Sequence, residues 1–180
     1  FTQIAPFDYA SLPPYHVGGK YNSAFLRDAQ RKSLAKLDHS GMAVTMDLGE
    51  KNGIHPARKQ EGAERLALLA LGATYGMETL NYRSPLYDSL EIKGSTAIVR
   101  FSDAPLGLTS FGKDMQTFEI AGNDRVFYPA SAVVQGKTVV VSSPRVSAPV
   151  AVRYAFKDFV VGDLFGVNGL PVASFRTDNW

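Results

Sequence analysis

Histidine is the side chain best suited to moving protons near neutral pH, and one of the three histidines in this chain stands where a reaction could use it. His55 follows the apolar run Met42 to Leu48, comes two residues after Gly53 and immediately precedes Pro56, where an amphipathic helical pattern begins. A loop beyond the carboxyl end of a strand is where open α/β sheets gather their ligands. An imidazole there can act as general base if a nucleophile lies within hydrogen-bond reach and an acceptor holds its other nitrogen in the right tautomer. The same place suits an imidazole that only caps the helix or tethers the loop, and spacing leaves both readings open. His16, among Pro13, Pro14, Gly18 and Gly19, has the setting of a surface loop residue and is a secondary candidate for touching substrate. His39 falls at the end of the first helical pattern, where a protonated imidazole favours the helix dipole.

Three acceptors lie near His55 along the chain. Asp47 ends the apolar run, and its carboxylate can accept from the imidazole N–H if the loop folds back. Glu50 and Asn52 follow, Asn52 three residues before His55. Plainer uses exist: an Asx turn from Asp47 into Gly49, and a turn of Asn52 with Gly53. His55 and Asp47 are therefore the catalytic candidates, with Asn52, Glu50 and His16 as candidates for orienting the base or binding substrate. The nucleophile is missing. No serine lies in a G-x-S-x-G elbow or opens a helix after a strand. There is no glycine-rich phosphate loop, no HExxH and no carboxylate spacing suited to a metal, so no metal or cofactor is expected. A base without its nucleophile points to a split or truncated active site.

The elements that must position these residues divide the chain near residue 84. Residues 1–83 read as strand, helix, strand, helix, the order of a parallel α/β layer. The first strand pattern is FTQIAPF. The first helix begins after Asn22, with Phe25, Leu26, Ala29, Leu34 and Leu37 on its apolar side and Arg27, Asp28, Arg31, Lys32 and Lys36 on the other. Met42 to Leu48 is the next strand, apolar as in a sheet covered on both faces. The second helix starts at Pro56 and runs through Ala63, Leu66, Ala67, Ala70 and Leu71 to Tyr75. Over 84–180 the period changes to two, in runs such as SLEIKG, TAIVRF, TFEIAG, RVFYPA, KTVVVSS and PVAVRYAF separated by turn residues. This half predicts an antiparallel β-sandwich-like domain. The tail GLPVASFRTDNW reads as a loop that docks through Phe175 and Trp180.

Composition sets the outer limits. Of 180 residues, 45% are hydrophobic and 20% charged, a globular mix with a packed core. Nineteen basic and seventeen acidic residues are scattered without runs, giving no footprint for nucleic acid or an anionic membrane. No apolar stretch approaches the roughly 20 residues that cross a bilayer. Cysteine is absent, which excludes disulfides, thiolate nucleophiles and cysteine-ligated zinc within this sequence.

The phrases QIAPF at 3–7, LRDAQ at 26–30, MDLGEKNGIHPARKQEGAERLALLAL at 46–71, PLY at 85–87, RYAF at 153–156 and GLPVASFRTDNW at 169–180 resemble, in this order, the C-terminal portion of sialate O-acetylesterases. The resemblance spans nearly the whole chain, and IHPxxKQxxxxRLAxxA at its centre is specific to that branch of the SGNH-type serine hydrolases. It implies that residues 1–83 are the C-terminal part of a flavodoxin-like parallel-sheet hydrolase domain, followed by a β-sandwich accessory domain over 84–180. It also implies that His55 is the general base for a serine on an N-terminal segment outside this sequence. The implied reaction removes O-acetyl groups from sialic acid or related sugars, in a periplasmic, secreted or lysosomal setting. SGNH hydrolases commonly carry Asp three residues before the catalytic His, where this chain has Asn52. Either Asp47 is then the third member, or a backbone carbonyl orients His55 and leaves a dyad. The chain alone is expected to be inactive, with the faces of its QIAPF and MAVTMDL strands exposed or packed on another polypeptide. A non-catalytic carbohydrate-binding or structural β module is the alternative, with Phe111, Phe127, Tyr128 or Tyr154 meeting a sugar face.

Overall fold

The computed structural model describes residues 1–12, 19–77 and 79–180. Helix α1 (Asn22–Ser33) runs into a 3-10 turn over Leu34–Lys36. It buries Ser23, Ala24, Arg27 and Asp28 and leaves Phe25 and Leu26 exposed, as is Leu37 just beyond the turn, which overturns the face predicted from the apolar pattern. The cause is a set of partners far along the chain. Asp158 Oδ1 accepts from Ser23 N at 2.7 Å and from Ser23 Oγ at 3.0 Å, so the helix start is capped from 135 residues away. Arg27 donates to Ser23 Oγ at 3.1 Å, to Ser174 Oγ at 3.4 Å and to the Lys157 carbonyl. A buried charge is tolerated when it is paired and hydrogen-bonded. Burial lowers the Arg27 pKa to about 10, against the opposing pull of Asp158, which leaves it cationic at neutral pH.

Segments 1–7 and 42–48 lie side by side and parallel. Gln3 N donates to Ala43 O and Ala43 N to Phe1 O, each at 2.9 Å, around one parallel bridge between Thr2 and Ala43. Parallel pairing among the described residues is limited to that bridge, so the displayed architecture is antiparallel and β-rich with two helices. The predicted strand over Met42 to Leu48 is extended only to Thr45, where Leu48 N returns to Thr45 O at 3.1 Å and turns the chain. Gln3, Phe7, Met42, Val44, Met46 and Leu48 are buried. Apolar side chains left open in this half include Phe25 and Leu26 on α1, Leu37 just beyond the 3-10 turn, and Leu66. Helix α2 (Lys59–Ala73) starts three residues beyond Pro56 and buries Arg65 and Gly72.

Beyond Ser84 the alternating runs become β1 (Leu86–Lys93), β2 (Thr96–Ser102), β3 (Leu108–Thr109), β4 (Phe118–Ala121), β5 (Phe127–Pro129), β6 (Ser131–Gln135), β7 (Thr138–Ser142), β8 (Ala151–Tyr154), β9 (Phe165–Gly166) and β10 (Phe175–Arg176). They form two four-stranded antiparallel sheets, ordered β1-β2-β7-β6 and β10-β8-β4-β5, and a two-stranded β3-β9 ribbon. Gly94 and Gly136, both at positive φ, begin the two-residue turns of β1-β2 and β6-β7. One face of each sheet points inward: Ala97, Val99 and Phe101 on β2, Val139 and Val141 on β7, Phe118 and Ile120 on β4. Each fully buried Val or Phe contributes on the order of 1.5–3 kcal/mol.

The tail docks through Phe175, which stacks on Tyr87 at 4.9 Å and on Tyr154 at 5.8 Å, whereas Trp180 stays 39% exposed beside Arg125. Met42, Val44 and Met46 belong to the same hydrophobic cluster as these residues, so the segment leading to His55 is seated on the sandwich core. Gly162 N donates to Met46 O at 2.9 Å, and the buried Tyr154 hydroxyl accepts from Leu164 N at 2.9 Å, pinning the 162–164 strap beside that segment. Burial raises the Tyr154 phenol well above its ordinary value, so it serves as a neutral hydrogen-bonding group.

Candidate active site

The turn at Thr45 to Leu48 sets the base of the His55 loop. Asp47 Oδ1 and Oδ2 accept from Arg65 Nη1 and Nη2, each at 2.7 Å, and Arg65 Nη1 also donates to Val44 O at 2.6 Å. The expectation that Asp47 turns back onto the imidazole is not what its hydrogen bonds show, because both of its oxygens are engaged by helix α2. Arg58 Nη1 donates to Asp47 O at 3.3 Å and Arg58 Nε to Glu61 Oε1 at 2.6 Å. That hydrogen bond raises the exposed Arg58 guanidinium above its ordinary value and lowers the Glu61 carboxyl below its own.

Inside the loop, Glu50 Oε1 accepts from Ala57 N at 2.7 Å, so a carboxylate satisfies a backbone donor two residues past His55. A Cβ on Gly53 would lie 2.8 Å from Glu50 Oε2, which places the Glu50 carboxylate close against the loop backbone. Asp8 N donates to Lys51 O at 3.3 Å and ties the loop to the first segment. Asn52 is exposed on the turn before Gly53. His55 itself is exposed and makes no hydrogen bond or ion pair with another described residue. His16 lies outside the described residues.

Other candidates lie elsewhere. His39, at φ 53°, lines a groove of about 1230 Å³ between the C-terminal ends of α1 and α2, with Leu34, Leu37, Met42, Leu69 and Ala73. No residue of the His55 loop lines it. Among the aromatics of the alternative reading, Tyr154 is fully buried in the core and cannot meet a sugar face. Phe127 lies under Arg153 at 3.9 Å and Tyr128 under Arg145 at 4.1 Å, while Phe111 is 61% exposed. No three His, Asp or Glu among the described residues are grouped to hold a metal ion. No helix of the described residues is long and apolar enough to cross a membrane. Sequence reasoning misses Arg65 and Arg58. The signal for Arg65 is an arginine heading the apolar run RLALLAL, where a charge has to find a buried partner.

No family model matches the chain. In three dimensions the chain matches a crystal structure of a carbohydrate acetylesterase from Xanthomonas citri with a TM-score of 0.86 and 38% identity, covering 99% of this chain and 40% of that one. The fold is therefore one found within a carbohydrate acetylesterase. In sequence it is 33% identical over 134 residues to a sialate O-acetylesterase from Pongo abelii, covering 67% of this chain and 25% of that relative. It is likewise 33% identical over 91 residues to a sialate O-acetylesterase from Rattus norvegicus, covering 48% of this chain and 16% of the relative. The chain is thus similar to a portion of these two sialate O-acetylesterases and spans a quarter or less of their length.

Proposed function

We propose that this chain supplies the general base of an SGNH-type carbohydrate esterase that removes O-acetyl groups from sialic acid or related sugars. The observation that carries the reading is the setting of His55: an exposed imidazole with both nitrogens unengaged among the described residues, on a loop otherwise held by hydrogen bonds at its base and inside. The chain's similarity to esterases supports the same conclusion. In neutral form His55 takes the proton of a serine hydroxyl as the serine oxygen attacks the acetyl carbonyl. It returns that proton to the sugar oxygen as the C–O bond breaks, and water then repeats the cycle on the acetyl-serine to release acetate. The serine and the oxyanion donors lie on a segment not contained in this sequence, which is the partner we propose.

Residues 1–83 form the hydrolase part, belonging to a flavodoxin-like sheet completed by that segment, and residues 84–180 are the accessory sandwich. The relay is a Ser–His dyad, with Asp47 holding the strand end, Glu50 bracing the loop, and Asn52 and His16 left as substrate-side candidates. O-acetylated glycans place such an enzyme in a periplasmic, secreted or lysosomal setting.

The test uses an aryl acetate and the enzyme that unites this chain with its nucleophile segment. His55→Ala is expected to lower kcat/KM by at least about a hundredfold. The 180-residue chain alone is expected to release no aryl alcohol above the uncatalysed rate. Full activity in the variant, or turnover by the isolated chain, overturns the reading.

A further inference from the structure

Resting on the reading of His55 as general base, we propose that Arg65 is a positioning residue for it, acting through Asp47, with Arg58 as the latch that closes the His55 loop. An exposed histidine on a free loop would sample many orientations, and a base is effective only when held near one productive geometry. The loop is closed at its base by Arg58 Nη1 on Asp47 O at 3.3 Å, across eleven residues of chain. Arg58 is in turn held by Glu61 at 2.6 Å.

Asp47 is fixed more firmly than a surface carboxylate. Its side chain is 13% exposed and that of Arg65 10%, and the two meet through two hydrogen bonds of 2.7 Å in the fork geometry that suits a guanidinium and a carboxylate. The third Arg65 bond, to Val44 O at 2.6 Å, grips the chain on the other side of the Thr45 to Leu48 turn. One guanidinium thus spans the turn by which the chain leaves the core, and the Arg58 latch returns the far end of the loop to the same aspartate. Arg65, Asp47 and Arg58 make no hydrogen bond to His55, so their effect passes through the backbone. Lysine cannot replace Arg65, since a single ammonium cannot match two carboxylate oxygens and a carbonyl in one plane.

The experiment compares His55→Ala, Arg65→Lys and Arg58→Gln in the esterase that unites this chain with its nucleophile, and follows amide exchange in the 180-residue chain at Ala57, whose N–H the Glu50 carboxylate holds. Arg65→Lys is expected to lower kcat for an aryl acetate by about tenfold to a hundredfold with KM within about threefold, the size of effect a misplaced catalytic group produces. Arg58→Gln, at an exposed side chain that leaves the core intact, is expected to lower kcat several-fold at an unchanged melting temperature and to speed exchange of the Ala57 N–H by at least about tenfold. If Arg65→Lys fails to fold, Arg58→Gln decides alone. Unchanged kcat and unchanged exchange in these variants, with His55→Ala inactive, overturn the positioning role and leave the base assignment standing. An active His55→Ala instead removes the base assignment, and the positioning role with it.

Discussion

A Cβ at Gly49 would lie 2.3 Å from the carbonyl oxygen of Pro6 and 2.7 Å from its ring carbons, so any larger residue must push two backbone segments apart. Gly49 stands between Asp47, fixed to Arg65, and Glu50, whose carboxylate braces Ala57, so there is little slack on either side of it. Gly49→Ala is expected to cost about 1–3 kcal/mol, the range for overpacking a site that cannot relax. Urea denaturation of the 180-residue chain measures it, and a loss below about half a kcal/mol would mean that Pro6 yields freely. At this scale the candidate site is partly legible in the sequence. His55 is legible because Gly53 and Pro56 punctuate the chain around it. Glu50 is legible as a nearby acceptor, although its partner proves to be a backbone N–H. The engagement of Asp47 is not legible, because Arg65 lies 18 residues away on a helix whose rotation the apolar pattern does not determine.

Helix α2 tests the same physics over a whole element. A Cβ on Gly62 would make only an ordinary contact with Leu48 Cδ1 at 3.9 Å, whereas one on Gly72 would lie 1.9 Å from the Tyr82 ring. Gly62→Ala is expected to stabilise by about 0.5–1 kcal/mol, the propensity gain of alanine in a helix. Gly72→Ala is expected to destabilise, because the Tyr82 ring that covers the helix there must leave. Thermal melts of both variants check the pair, and a shift of the same sign in each would contradict the packing of the 79–85 segment on α2.

The β-strands are the most legible elements, since TAIVRF and KTVVVSS bury every second residue as their pattern predicts. Strand β6 is less so. Only Ala130 separates it from β5, and the chain passes from one sheet to the other there without a glycine turn to mark the change. Helix α1 misleads for a different reason: a charged residue reads as solvent-facing, but Arg27 and Asp28 face inward to partners that arrive more than 100 residues later.

Those late partners join the molecule into one piece. Asp28 holds Arg31 at 2.8 Å, Lys32 at 2.6 Å and Arg176 at 3.4 Å; Arg176 meets Asp178 at 3.4 Å, and Asp178 pairs with Arg153 at 2.6 Å. Charges of alternating sign thus run from α1 through the tail to β8, with Arg176 over the Phe25 ring at 4.9 Å. The chain that bears His55 and the sandwich are held together by this network as well as by the shared apolar cluster. Burial alone would raise the Asp28 carboxyl, but the hydrogen bonds and charges of Lys32 and Arg31 together hold it below its ordinary value. A carboxyl whose pKa is lower in the folded than in the unfolded state stabilises the fold fully above the unfolded value, near 3.9, and loses that contribution as pH falls through the folded value. Wild-type melting temperature is therefore expected to fall as the pH is taken below about 4. Asp28→Asn is expected to be destabilised at pH 7 by up to about 3 kcal/mol, the lower end of the cost of breaking a buried ion pair, because Lys32 remains partly in solvent. The two melting curves should converge in acid, where the wild-type carboxyl is also neutral. A gap between them that stays constant from pH 7 to pH 2 would show that Asp28 contributes shape and hydrogen bonding, with no charge-dependent share in holding α1 to the tail.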